Sequence, residues 1–169
     1  MLITLRLIHI LAGAFWVGTA IFTAVFLVPS IRALGPAGGP VMHQIAQVRK
    51  LPTYFLGAGV LTVLSGIGLY SKASGGFTNQ WMQSGPGMTF GIGAVFALLA
   101  MTVGMVVAAP TAKRVGALGA TIAGAGKPPS PEQQSEMQRL QARAGKASAL
   151  GAALLVCATA AMAIARYIG

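Results

Sequence analysis

Acidic side chains are almost missing from this sequence. Its 169 residues include two glutamates, no aspartate, one cysteine and two histidines. A single cysteine excludes an intramolecular disulfide, and so few carboxylates and imidazoles exclude most all-protein zinc or calcium cages. Charge of either sign is scarce: 8% of the residues are charged, about a third of the usual share in a soluble domain and too few to cover a water-facing surface. What fills the chain is apolar, with 55% hydrophobic residues and a mean hydropathy of +0.74, so lipid is the expected solvent. Twelve Lys and Arg leave a formal charge of +10. That balance in a soluble chain would point to nucleic acid, whereas in a membrane chain it sets orientation.

Four apolar stretches stand out, at about 2–28, 51–70, 88–109 and 147–168. Each has about 20 residues or more, enough at about 1.5 Å per residue to cross a hydrocarbon core of roughly 30 Å. Strand-like alternation is absent, which argues against a barrel. The expected fold is all-α: a single membrane domain, built as an up-and-down four-transmembrane-helix bundle. The first stretch reads as a span rather than a signal peptide, because it is too long, carries Arg6 inside its apolar run and shows no small-residue cleavage pattern before Pro29.

The connections differ in kind. Three prolines between Val28 and Leu51 predict a turn after the first span, then a short amphipathic helix over about 40–50, with Val41, Met42, Ile45 and Val48 on one side. The second connection is short and glycine-rich, with Trp81 as an interfacial anchor. The third, Pro110 to Lys146, is the long polar one. Within it Ser130, Pro131, Glu132 and Gln133 spell a helix start with a capping box, and an amphipathic helix over about 130–146 is expected to run into the fourth span.

With four crossings both termini share one side. That side receives Arg6, Lys72 and Arg166, and the other receives Arg32, Arg49, Lys50, Lys113, Arg114, Lys127, Arg139, Arg143 and Lys146. By the positive-inside rule the loops are expected in the cytoplasm and the termini on the periplasmic side of a bacterial-type inner membrane. The nucleic-acid reading falls here, since anionic headgroups are a sufficient partner for these cations.

An ionisable residue inside a span is costly unless it faces the bundle interior, which makes His9 the first functional candidate. It lies roughly 10 Å below the terminal face, and its helical stripe continues through Gly13, Trp16 and Ala20. A bare helix surface with an aromatic a turn further on leaves room for a planar ligand. Gly66, Gly91 or Gly93, and Met162 fall at the same depth on the other helices, with Arg6 and Arg166 one turn nearer the surface. An imidazole and a thioether as ligands, glycines making space for a macrocycle and arginines meeting propionates would suit haem b. Two other readings stay open. His9 can instead bond a hydroxyl or carbonyl of a neighbouring helix, with the glycines serving packing alone. Copper(I), which favours soft donors, could draw on Met162, Cys157, Met101 and Met105. His43, about 35 Å along the bundle from His9, reads as a solvated or headgroup-level residue. Tyr70, Trp81 and Tyr167 read as the aromatic belt. No nucleophile triad and no phosphate-binding loop is present.

The stretch RLIHILAGAFWVG, Arg6 to Gly18, followed by RKLPTYFLGAGVLTVLSGIGLY and ending in MAIARYIG, resembles a family of uncharacterised integral membrane proteins grouped with the CopD-type copper-resistance proteins. The likeness covers most of the chain, including four spans with a glycine-rich second one. The first-helix pattern, His9 and then Trp16 seven residues on, also looks like the start of the HemJ-type protoporphyrinogen oxidases, which are haem-associated four-helix membrane proteins. The resemblance implies haem or metal binding at His9. This chain departs from the HemJ pattern in having no lysine inside a span, and from a copper collector in having no Met- or His-rich segment on the terminal side. The expected function is a small membrane protein that binds haem b, or copper, at His9 for electron transfer or cofactor handling. The alternatives are a cofactor-free structural subunit of a larger membrane complex or homo-oligomer, and a HemJ-like porphyrinogen oxidase.

Overall fold

A computed structural model describes residues 2–168, leaving aside the side chain of Pro36. Helix α1 runs Leu2–Ala33, α2 is the short helix Gly38–His43, and α3 runs Leu51–Ala73. The short helix α4, Asn79–Met82, precedes α5, Gly85–Gly124, and α6, Pro131–Tyr167. No strand occurs among the described residues. The long helices α1, α3, α5 and α6 are each long and apolar enough to cross a membrane, so the protein is an all-α, multi-pass helical bundle.

Two expected boundaries move. The first span was expected to end near Val28 and the third near Ala109, each just before a proline. Instead α1 continues through Pro29 and α5 through Pro110, and both do so by the same device. Thr23–Leu27 and Gly104–Ala108 each form a wide turn, closed by Val28 N–H to the Thr23 carbonyl and by Ala109 N–H to the Gly104 carbonyl. A proline ring clashes with the carbonyl four residues back and lacks an N–H. Bonding one residue further back widens the preceding turn and makes room for that ring, so the helix continues. The segment 110–124, expected as part of a polar connection, is therefore the end of α5. At about 1.5 Å per residue the 40 residues of α5 reach roughly 60 Å, about twice the hydrocarbon thickness. Its second half pairs with the start of α6 as a hairpin beyond the apolar layer, with Thr111 and Leu140 buried between them.

The start of α6 follows the expected chemistry. Gln133 N–H donates to Ser130 Oγ at 3.3 Å, and Ser130 N–H donates to Gln133 Oε1 at 3.0 Å. Ser130→Ala removes the first of these bonds at a cost of about 1 kcal/mol. The expected result is roughly fivefold faster amide exchange in the first turns of α6, with the apolar half of the helix unchanged.

The bundle is made of two tight pairs, α1 with α3 and α5 with α6, joined by slighter contacts. Its core is built largely from alanine: Ala20, Ala58, Ala97, Ala100, Ala152 and Ala158 surround Trp16 and Leu155. Lipid tails supply no hydrophobic drive, so small residues that let backbones approach hold such pairs together. In each pair one large side chain also fills a glycine notch. A Cβ on Gly59 would lie 3.0 Å from the Trp16 ring, and one on Gly93 would lie 3.0 Å from Met162 Cγ and 3.1 Å from the Ala158 carbonyl oxygen. The carbonyl cannot swing aside, so Gly93→Ala must push α5 from α6, at about 1–3 kcal/mol for overpacking. Gly57→Ala, with nothing within 4 Å of the new carbon, should leave the thermal midpoint in detergent unchanged while Gly93→Ala lowers it.

Two ties join the pairs. At the loop end the Arg32 guanidinium of α1 donates to the Gln141 carbonyl of α6 and rests on Gly145, where a side chain would collide with it. At the terminal end the Tyr70 hydroxyl of α3 donates to the Gly87 carbonyl of α5 at 3.1 Å. Tyr70 also meets Trp81 edge-on, with ring centroids 5.1 Å apart, and Trp81 stacks on Phe90.

Candidate functional site

His9 sits partly buried on the face of α1 that meets α3. Its Nδ1–H donates to the Thr62 main-chain carbonyl at 2.8 Å. A carbonyl can only accept, so the proton of the neutral imidazole is on Nδ1 and the lone pair is on Nε2. Ser65 Oγ lies 3.4 Å from the same Nδ1 and donates to the Leu61 carbonyl. Ser65 thus closes one side of the ring without competing for Nε2.

Nε2 has no hydrogen-bond partner among the described residues. No buried side-chain nitrogen or oxygen there lacks a partner either, so Nε2 is not fully enclosed. A lone pair fixed in direction by a main-chain bond at the other nitrogen is the usual posture of a ligating histidine.

The stripe below His9 is used differently from the expectation. Gly66 was read as space for a macrocycle, but a Cβ there would lie 2.9 Å from His9 Cε1. The notch is filled by the imidazole itself. Gly13 faces Thr62, with a Cβ position 3.5 Å from its methyl group, and Trp16 is buried against Gly59 and edge-on to Phe55. The room expected for a planar ligand between His9 and Trp16 is taken by α3. Gly91 faces the Tyr70 hydroxyl, 3.7 Å from its Cβ position, and Met162 rests on Gly93 within the α5–α6 pair.

Of the remaining candidates, Arg6 and Arg166 are both exposed. His43 is exposed at the end of α2, Cys157 is exposed on α6, and Met101 packs against the core. No group of three or more His, Cys, Asp or Glu able to hold a metal occurs among the described residues. Sequence reasoning foresaw a hydroxyl or carbonyl partner for His9 but did not single out Thr62 and Ser65. The Thr62 contribution is a main-chain atom and left no side-chain signal, whereas Ser65, a hydroxyl inside an apolar span, was visible as a possible partner.

These features define a class: a four-span helical membrane protein with one oriented histidine near the terminal end of the bundle. No protein-family model, curated protein or solved structure matches the chain.

Proposed function

We propose that His9 is the protein ligand of a metal centre, haem b in the first place and copper in the second, in a small inner-membrane protein with periplasmic termini that serves electron transfer or cofactor handling. The observation that carries this reading is the bond from Nδ1–H to the Thr62 carbonyl. It leaves Nε2 as the unprotonated nitrogen of the neutral imidazole, the state a metal requires. The orientation rests on the cation asymmetry between the two ends of the bundle.

Haem b fits this site in part. The imidazole has the tautomer of a ligating histidine, and Arg6, one turn nearer the surface, is paired with no carboxylate among the described residues and would suit a propionate. Gly13, Trp16 and Gly66 hold the α1–α3 seam, and Met162 is seated on Gly93. His9 and Met162 are both partly buried, and of the two His9 is the one whose donor atom is oriented by a hydrogen bond. When bound, haem would supply a one-electron iron couple. The chain's own part is to hold the imidazole plane against Gly66 and keep the proton on Nδ1.

A second reading has its own observation. Between 11% and 22% of the apolar window of each span is buried inside the molecule, and Gly18, Gly57 and Gly151 have nothing within 4 Å of a Cβ position. Faces of that kind suit packing against further membrane helices, in a complex or a second copy. Here His9 acts only as an interhelical hydrogen-bond donor.

The deciding measurement is an absorption spectrum with iron and copper analysis on protein purified in mild detergent. A Soret band with iron near one per chain, or copper near that ratio, supports the metal reading. A colourless, metal-free protein from haem-replete cells overturns it and leaves the packing reading in place.

A further inference from the structure

A groove on the bundle lies far from His9, where α5 and α6 leave the apolar layer at the loop end. It encloses about 480 Å³, and its walls hold Val103 and Val107 of α5 with Arg139, Arg143, Lys146 and Leu150 of α6. The three cations stand at i, i+4 and i+7, one above another on a single helix face. Val103 precedes the wide turn Gly104–Ala108, and Val107 lies within it. The groove is thus basic toward the loop end and apolar toward the bilayer, and it straddles the point where the charged start of α6 gives way to its apolar run at Ala147.

The charge in this groove is not neutralised within the chain. Arg139 pairs with Glu136 at 2.9 Å. The only other acidic side chain is Glu132, a turn further from the apolar layer, so Arg143 and Lys146 face the groove without a carboxylate partner among the described residues. Cations at headgroup level above an apolar floor complement a ligand with a negative phosphate and hydrocarbon tails, and basic pockets between transmembrane helices hold such headgroups.

We propose that this groove binds an anionic phospholipid of the loop-side leaflet, its phosphate held by Arg143 and Lys146 and an acyl chain laid along Val103, Val107 and Leu150. Arg139, held by Glu136, borders the headgroup and adds little charge. A bound lipid of this kind would bridge α5 and α6 at the level of the wide turn.

The test uses the full chain in detergent, with native mass spectrometry against phosphatidylglycerol, cardiolipin and phosphatidylcholine. The wild type is expected to retain the anionic lipids over phosphatidylcholine. The double substitution Arg143→Gln/Lys146→Gln should lower anionic-lipid affinity roughly thirtyfold, about fivefold for each cation near the surface. Lys113→Gln/Arg114→Gln removes the same charge outside the groove and should change affinity less than twofold. An equal loss from both pairs would assign the effect to overall charge and overturn the site. So would unchanged affinity in the groove variant, or displacement of the lipid by inorganic phosphate at equal concentration, since phosphate has no use for the apolar floor. Both substituted pairs are exposed, and a thermal midpoint equal to the wild type checks that each variant is folded.

Discussion

His9→Gln is expected to abolish the chromophore or bound metal completely while the bundle stays folded. A glutamine amide can still donate to the Thr62 carbonyl, which keeps the tie now made at 2.8 Å by Nδ1, but it offers no imidazole lone pair to a metal. His9→Ala should be equally empty and less stable. It removes both the interhelical bond, worth about 0.6 kcal/mol in membranes, and the ring that fills the Gly66 notch. The pair of variants separates ligation from helix pairing: loss of metal in both with loss of stability only in alanine is the expected pattern. A His9→Gln protein that keeps its Soret band or copper would show that another residue is the ligand.

Trp16→Ala should give the largest fall in stability of any single truncation in the seam. Trp16 is 3% exposed amid a core otherwise made mostly of alanine. Its ring rests on Gly59 and meets Phe55 edge-on at 6.3 Å, and neighbours as small as these cannot collapse into the space it leaves. Truncating a buried tryptophan costs about 3–5 kcal/mol where the site stays open. The measurement is the midpoint of unfolding in mixed micelles, with Phe15→Ala as comparison. Phe15 is 45% exposed one residue away, so its loss removes lipid-facing area alone and should move the midpoint little. Equal shifts in the two variants would mean that the α1–α3 seam is not the stable unit described above.

The four helices were legible because lipid imposes a length and an apolar composition, and both are visible in any window of the sequence. The cap at Ser130 was legible because its chemistry is local: Ser, Pro, Glu and Gln in four consecutive positions. Helices α1 and α5 outran the apolar stretches read for them because a wide turn lets each pass its proline, Pro29 or Pro110. Whether a wide turn absorbs the ring depends on bonds to Thr23 and Gly104, and nothing in composition announces those bonds. The glycines were found but wrongly filled. Gly66 looks the same in sequence whether it makes room for a macrocycle or for the imidazole of His9, and only the pairing of α1 with α3 decides. Arg32 likewise counted as a topology signal, while its guanidinium in fact clasps the main chain of α6 at Gln141. The groove over Arg143 and Lys146 could not be read from α6 alone, since its opposite wall comes from α5.

The division into two pairs has a consequence for how the protein is made. Helices α1 and α3 leave the ribosome first and already contain every partner of their seam, from His9 with Thr62 to Trp16 with Gly59. The proton on His9 can therefore be placed, and Nε2 turned outward, before α5 has been synthesised. Arg32 has to wait for Gln141, more than a hundred residues later in the chain, so the latch between halves closes only near the end of translation. A newly made first half would carry an oriented imidazole well before the rest of the molecule arrives to steady it.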